Sequence, residues 1–186
     1  GFNIYTSNPN GTTDGNPAND ALGGGNYETG VPLAGTYTIG GTSPDFATFN
    51  DAVDELICAG VSDTVIFNVR AGTYNEQVTI PAIAGADSTA VIIFDGQDRF
   101  TRTLTYTTSQ NPGDRHVLQF ENTQFVEFRN LEIVEGAGSG QSWVVHFYGP
   151  QTKFCRLDDC EVTVFGNAGD DLPILFNGDL DDNGIG

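Results

Sequence analysis

Hard oxygen donors at alternate positions followed by a glycine turn can wrap a calcium ion. Asp179-Leu180-Asp181-Asp182-Asn183-Gly184 has that pattern. It covers the first half of an Asp-x-Asp-x-Asn-Gly loop, with Asp179, Asp181 and Asn183 as ligands and Ca²⁺ as the implied ion. Asp170 and Asp171 are further donors if their loop lies beside it. The same residues also suit a solvated acidic turn. A second cluster places bases next to carboxylates: Arg129, Lys153, Arg156, Asp158 and Asp159. His116 and His146 are remote in sequence from any Ser or Cys nucleophile, and the residues around His146 mark it as a surface or packing residue. Three cysteines, Cys58, Cys155 and Cys160, are an odd number, so a complete intramolecular disulfide set is excluded. Cys155 and Cys160 can pair if their strands adjoin. Small buried hydrophobes are the other reading of all three.

The elements that would position these residues are short strands that repeat. Val91–Gly96, Val117–Asn122, Val144–Gly149 and Pro173–Gly178 share one apolar frame. Phe125–Ile133 aligns with Phe154–Val162 in the same way. A period of about 26 to 29 residues, made of several strands with no helix between them, is a solenoid signature. The Leu-x-x-Leu-x-Leu frame of leucine-rich repeats is absent. A coil of three strands and three turns fits the length. The expected fold is therefore all-β, a parallel β-helix.

Strand alternation then points Ile92/Phe94, Leu118/Phe120, Val145/Phe147 and Ile174/Phe176 inward. Equivalent residues of successive coils lie about 4.8 Å apart, which predicts an interior column of four phenylalanines. His146 falls in an outward column with Ile93, Gln119 and Leu175. Glu127 is expected over Arg156 and Arg129 over Asp158, pairs of opposite sign as lateral neighbours should be. Asn130 and Asp159 fall at a bend. This charge ladder explains Arg129, Arg156 and Asp158 as structure, so Arg156, Asp158, Asp159 and Lys153 carry a catalytic role only as the alternative.

One helix precedes the strands. Ser43 is read as its N-cap and Pro44 as its first residue, with Asp45 at the positive end of the dipole. Phe46, Phe49, Val53, Leu56 and Ile57 recur at helical spacing, and Gly60 ends the run. Residues 1–30 are rich in Gly, Asn, Pro, Thr and Asp and read as a polar linker or the tail of a preceding domain. Residues 31–186 read as the N-terminal part of the β-helix. A solenoid ending there would leave strand edges and core uncovered, so a continuation past Gly186, or a covering chain, is expected.

Composition narrows the partners. There are 25 acidic residues against 7 basic ones, a net charge of -18, and Lys153 is the sole lysine. Phosphate binding needs clustered cations, so nucleic acid is excluded, and anionic membrane surfaces with it. No apolar run approaches the ~18 residues of a membrane span, and no signal peptide opens the sequence. An acidic, lysine-poor surface suits an extracellular protein.

The capping helix, Phe46-Ala47-Thr48-Phe49, the strand Val65–Val69 and the turn Gly72-Thr73-Tyr74-Asn75-Glu76 together resemble the pectin-lyase-like superfamily of right-handed β-helices. The opening phrase Gly35–Gly41 and Asp45–Phe49 is similar to β-helix modules in large secreted or cell-surface proteins of Bacteroidota, which leave by type IX secretion. The resemblance implies that the helix covers the open top of the core. It implies two candidate chemistries. Pectinesterases use paired Asp carboxylates with Gln and Arg, but their phrases Gln-Ala-Val-Ala, Gln-Asp-Thr-Leu and Asp-Phe-Ile-Phe-Gly are not found here. Polysaccharide lyases use calcium with a Lys or Arg base, the role open to Lys153 and Arg156. Asp63-Thr64-Val65 and Asp87-Ser88-Thr89 resemble a Bacteroidota O-glycosylation motif, with Thr64 and Ser88 as acceptors. Asn10-Gly11-Thr12 is an Asn-linked sequon. The expected function is a non-catalytic extracellular β-helix module of a surface protein, serving adhesion, filament or matrix structure, or glycan contact. The partners are a polysaccharide, a cell-surface glycan or other surface-protein domains. The alternatives are a carbohydrate-active enzyme, pectinesterase- or lyase-like, on an acidic polysaccharide, and a purely structural spacer.

Overall fold

A computed structural model describes residues 30–109, 111–136, 142–165 and 171–177. Strand β1 (Leu33–Ile39) and helix α1 (Phe49–Ala59) come first. Then β2 (Val61–Val69), β3 (Gly72–Asn75) and β4 (Val78–Ile80) form one coil. Three more coils follow: β5 (Ile92–Asp95), β6 (Arg102–Thr107) and β7 (His116–Glu121); β8 (Val126–Arg129), β9 (Glu132–Gly136) and β10 (Trp143–Tyr148); β11 (Arg156–Asp158), β12 (Glu161–Thr163) and β13 (Leu172–Asn177). Every pairing between these strands is parallel. The first sheet runs β1-β2-β5-β8-β11, the second β3-β6-β9-β12 and the third β4-β7-β10-β13. The fold is a right-handed parallel β-helix.

The expected register holds where coil length is constant. Glu127 pairs with Arg156, and Arg129 with Asp158. The single column of four phenylalanines does not form. Phe94 belongs to the first sheet, stacked between Phe67 at 4.8 Å and Phe128 at 4.5 Å. Phe120, Phe147 and Phe176 form a separate stack in the third sheet, with ring centroids 4.7 and 4.5 Å apart. The second coil is the reason. It carries a 3-10 turn at Arg99–Thr101 and another at Pro112–Asp114, so Val78 pairs with Leu118 rather than with a residue of β5. For the same reason Ile93 lies in another sheet from His146, whose column is Thr79, Gln119, His146 and Leu175. Asn130 and Asp159 do occupy the bend, both left-handed at φ 55° and 46°.

The helix begins later than expected. Thr48 is its N-cap, and Thr48 with Asp51 forms a capping box. Ser43 and Pro44 lie outside it. Asp45 accepts bonds from Thr38 N at 2.8 Å and Thr38 Oγ1 at 2.7 Å, and Phe46 bridges to Ile39. These contacts hold the segment extended until Thr48. Gly60 ends the helix at φ 69°, and a Cβ there would meet the Ala84 carbonyl at 2.7 Å. Phe49, Ala52, Val53 and Leu56 are buried, while Ile57 faces out. Phe49 stacks on Phe94 at 5.8 Å, so the helix closes one end of the aromatic core.

Phe94 is fully buried and Phe176 is 73% exposed. Phe94→Ala is expected to cost about 3–5 kcal/mol, and Phe176→Ala less than about 1 kcal/mol. Urea unfolding of both variants measures the contrast.

Candidate functional site

The outer face of the first sheet carries the charge ladder. Asn68, Asp95, Arg129 and Asp158 form one column down the axis, and Glu127 and Arg156 stand in the next. Arg156 Nη2 donates to Glu127 Oε1 at 2.7 Å. Arg129 is level with Asp158, but its ion pair runs the other way, to Asp95 Oδ2 at 3.0 Å. A second contact reaches Glu127 at 3.9 Å. Burial pushes the Asp95 carboxyl up. Hydrogen bonds from Asn130 Nδ2 and Gln97 N, with the Arg129 charge, outweigh it and hold Asp95 below its usual value. The bond to Glu127 raises the Arg156 guanidinium further above its usual value.

Of the four residues expected as the alternative catalytic set, Arg156 and Asp158 come into ion-pair reach of each other. Arg156 is held by Glu127, and Asp159 pairs with Arg99. Asp158 lies 4.0 Å from Arg156, and Lys153 is exposed with no ion pair among the described residues. Asp179, Asp181, Asn183 and Asp170 lie outside the described residues. Among the described residues no group of three or more His, Cys, Asp or Glu could hold a metal. Asp171 Oδ1 accepts from Ser142 N at 3.0 Å. Thr64 Oγ1 donates to Thr89 O at 3.3 Å, while Ser88 is exposed. Cys155 and Cys160 are free thiols. Each reaches a carbonyl of the preceding coil, Thr123 O at 3.6 Å and Phe128 O at 3.3 Å, and burial pushes both thiols up.

Glu76 sits at the amino end of the helix. Its carboxylate accepts Phe49 N at 3.1 Å and Asn50 N at 3.0 Å. The anion position that a helix N-terminus offers is thus filled from the first coil. The depression beside it is lined by Gly40, Thr48, Gly72, Tyr74 and Glu76.

The third sheet's outer face is uncharged at its centre. His146 is 3% exposed and donates from Nδ1 to Gln119 Oε1 at 2.9 Å. The Trp143 and Tyr148 rings flank it at 4.8 and 5.1 Å. His116 Nε2 shares a bond with Thr79 Oγ1 at 3.0 Å. Burial lowers both histidines to about 4; the Asp114 charge opposes this at His116, and His116 adds to it at His146. Sequence reasoning placed His146 outward but missed its burial. It also missed Glu135, a fully buried carboxylate that accepts from Thr108 Oγ1. Phe125 and Phe154 were assigned to aligned strands. Both are left-handed corner residues, φ 57° and 55°, with rings stacked at 4.8 Å.

No protein-family model matches the sequence, and no curated protein sequence matches it. Solved structures do. The chain is similar in fold to a pectin methylesterase. The deglycosylated enzyme from Aspergillus niger superposes with a TM-score of 0.53 at 19% identity, over 74% of this chain and 46% of the enzyme. A second form of that enzyme gives 0.45 at 18% identity, over 70% of this chain and 50% of its own. The chain thus spans about half the length of the pectin methylesterase it resembles. No described helix is long and apolar enough to cross a membrane.

The histidines set a pH dependence. Their unfolded value is 6.5 and their folded value about 4. Below 6.5 the unfolded chain binds protons that the folded chain does not, so their contribution is complete above pH 6.5 and lost as pH falls toward 4. At pH 5 the loss is about 1–2 kcal/mol per histidine. Thermal melts across pH 7 to 4.5 are expected to fall less steeply for the His116→Gln/His146→Gln variant than for the native chain.

Proposed function

We propose that this chain is part of a non-catalytic extracellular β-helix module that contacts a polysaccharide. The observation that carries the reading is the ladder itself: Arg129 and Arg156 are engaged by Asp95 and Glu127 across coils. A base or an oxyanion partner must be free to meet substrate, and these guanidiniums serve the sheet. Support for a carbohydrate partner comes from the β-helix shared with a pectin methylesterase. The parent is a large secreted or cell-surface protein of the type IX-secreted kind found in Bacteroidota, on the resemblance of the opening coil. Its role is adhesion, matrix or filament structure, or glycan contact. Residues 1–30 serve as a linker, Thr64 and Ser88 as O-glycan acceptors, and Asp179, Asp181 and Asn183 as calcium ligands within the same proposal.

A second reading, a carbohydrate esterase or lyase acting on an acidic polysaccharide, rests on that same structural likeness. Incubation with neutral and acidic polysaccharides, with and without calcium, separates the two. The expected outcome is retention on at least one polysaccharide and no product by chromatography or mass spectrometry. Methanol release would establish the esterase reading, and calcium-dependent unsaturated products the lyase.

A further inference from the structure

Each coil of a solenoid ordinarily contacts only its neighbours, so its ends open first and coil by coil. One corner departs from that rule. Between the first and second sheets, β2 ends at Val69 and β3 begins at Gly72, and the corners after β8 and β11 are equally short. After β5 the chain instead runs from Asp95 to Arg102. The added length is held from both ends. Gln97 N donates to Asp95 Oδ1 at 2.7 Å, and Gln97 Nε2 to Asn68 Oδ1 at 3.1 Å. The Asp98 carboxylate accepts Phe100 N at 3.2 Å, Thr101 Oγ1 at 2.9 Å and Arg102 Nη1 at 3.2 Å. Arg99–Thr101 bury no side chain, so core packing does not account for the turn. What it does is carry Arg99 past the third coil. Arg99 Nη1 donates to Asp159 Oδ1, and its Nε lies 3.9 Å from Glu161 Oε2, both acids belonging to the fourth coil. The guanidinium rests over the Phe100 ring at 4.7 Å.

The charge pattern of the second sheet is the second observation. Glu132 and Glu161 are in register, the one like-sign charged pair among the described strand registers. Like charges so placed repel. Thr103 Oγ1 donates to Glu132 Oε2 at 2.7 Å and draws that carboxylate toward the second coil. Glu161 is met by Arg99. The arginines of the third and fourth coils are engaged elsewhere, Arg129 by Asp95 and Arg156 by Glu127.

We infer that the inserted turn is an ionic strap: Arg99 ties the fourth coil to the second across the third, and the strap loosens as ionic strength rises. It works in the same way whatever the module contacts. The test is amide hydrogen exchange in the native chain, Arg99→Gln and Asp159→Asn. Asparagine tolerates the left-handed backbone at residue 159. Two amides read the fourth coil: Glu161 N, bonded to Leu131 O at 3.0 Å, and Asn130 N, bonded to Asp158 O at 3.0 Å. Both variants are expected to exchange there about two- to fivefold faster, while Gly96 N, bonded to Arg129 O at 2.9 Å, keeps its native rate. Arg99→Lys, which keeps the charge without the planar fork, should recover part of the protection. The double variant should exchange no faster than Arg99→Gln alone. In about 1 M sodium chloride the native chain should approach Arg99→Gln, which itself responds little. Native rates at Glu161 N and Asn130 N in both variants, additive effects in the double variant, or an equal salt response in Arg99→Gln would each overturn the strap. Acceleration confined to Phe100 N and Gly96 N would do the same, by making the turn a local feature of the second coil. If Arg99→Gln lowers the melting temperature of the whole chain, Asp159→Asn decides by the same two amides.

Discussion

Parallel backbone pairing between coils is the constraint from which the rest follows. It places each residue about 4.8 Å above or below its equivalent in the neighbouring coil, closer than unlike side chains tolerate without cost. Inside, the solution is like on like: Phe67, Phe94 and Phe128 in one stack, and Phe120, Phe147 and Phe176 in another. Outside, like on like is penalised for charge, and in the first sheet the columns alternate in sign, as at Asp95–Arg129 and Glu127–Arg156. The corners obey the same spacing with Asn130 over Asp159 and Phe125 over Phe154.

Glu76 ties this periodic stack to its aperiodic cap. The carboxylate belongs to the first coil and accepts two helix amides, while Phe49 from the helix stacks onto Phe94 of the second coil. The Glu76 carboxylate and the contacts of the Phe49 ring with Tyr74, Phe94 and Phe128 thus fix the helix over the core. A charged group at a helix N-terminus reads as an anion-handling site until its partners are known, and here the partners are the helix's own backbone.

What could be read from the sequence tracks where coil length stays constant. Glu127 and Arg156 were placed opposite each other because the segments around them align without a gap, and the same alignment located the bend at Asn130 and Asp159. Phe94 was assigned to the wrong sheet because Val91–Gly96 and Val117–Asn122 share an apolar frame that does not distinguish one sheet from another. The two 3-10 turns of the second coil then displaced the period. The helix start was misplaced because Ser43-Pro44-Asp45 has good capping chemistry, but Thr48 and Asp51 satisfy each other reciprocally and Asp45 is occupied by Thr38. At the candidate site, residue types were legible and pairing direction was not: Arg129 had acids in both neighbouring coils and took Asp95. The aromatic corner carried one signal, a phenylalanine just before each aligned strand, which apolar patterning absorbs as one more inward residue.

The second coil's extra length lies wholly in the connections that follow β5 and β6, and the ladders above and below it remain in step. Length and register are therefore separable in this chain. Residues added at those corners loop outward and leave every stacked column in place, whereas a single residue added within β8 or β11 would move Phe128 or Leu157 from core to solvent and reverse the charge pattern outside. The corners entering the second and third sheets are thus where this scaffold can accept new sequence, and the strands are where it cannot.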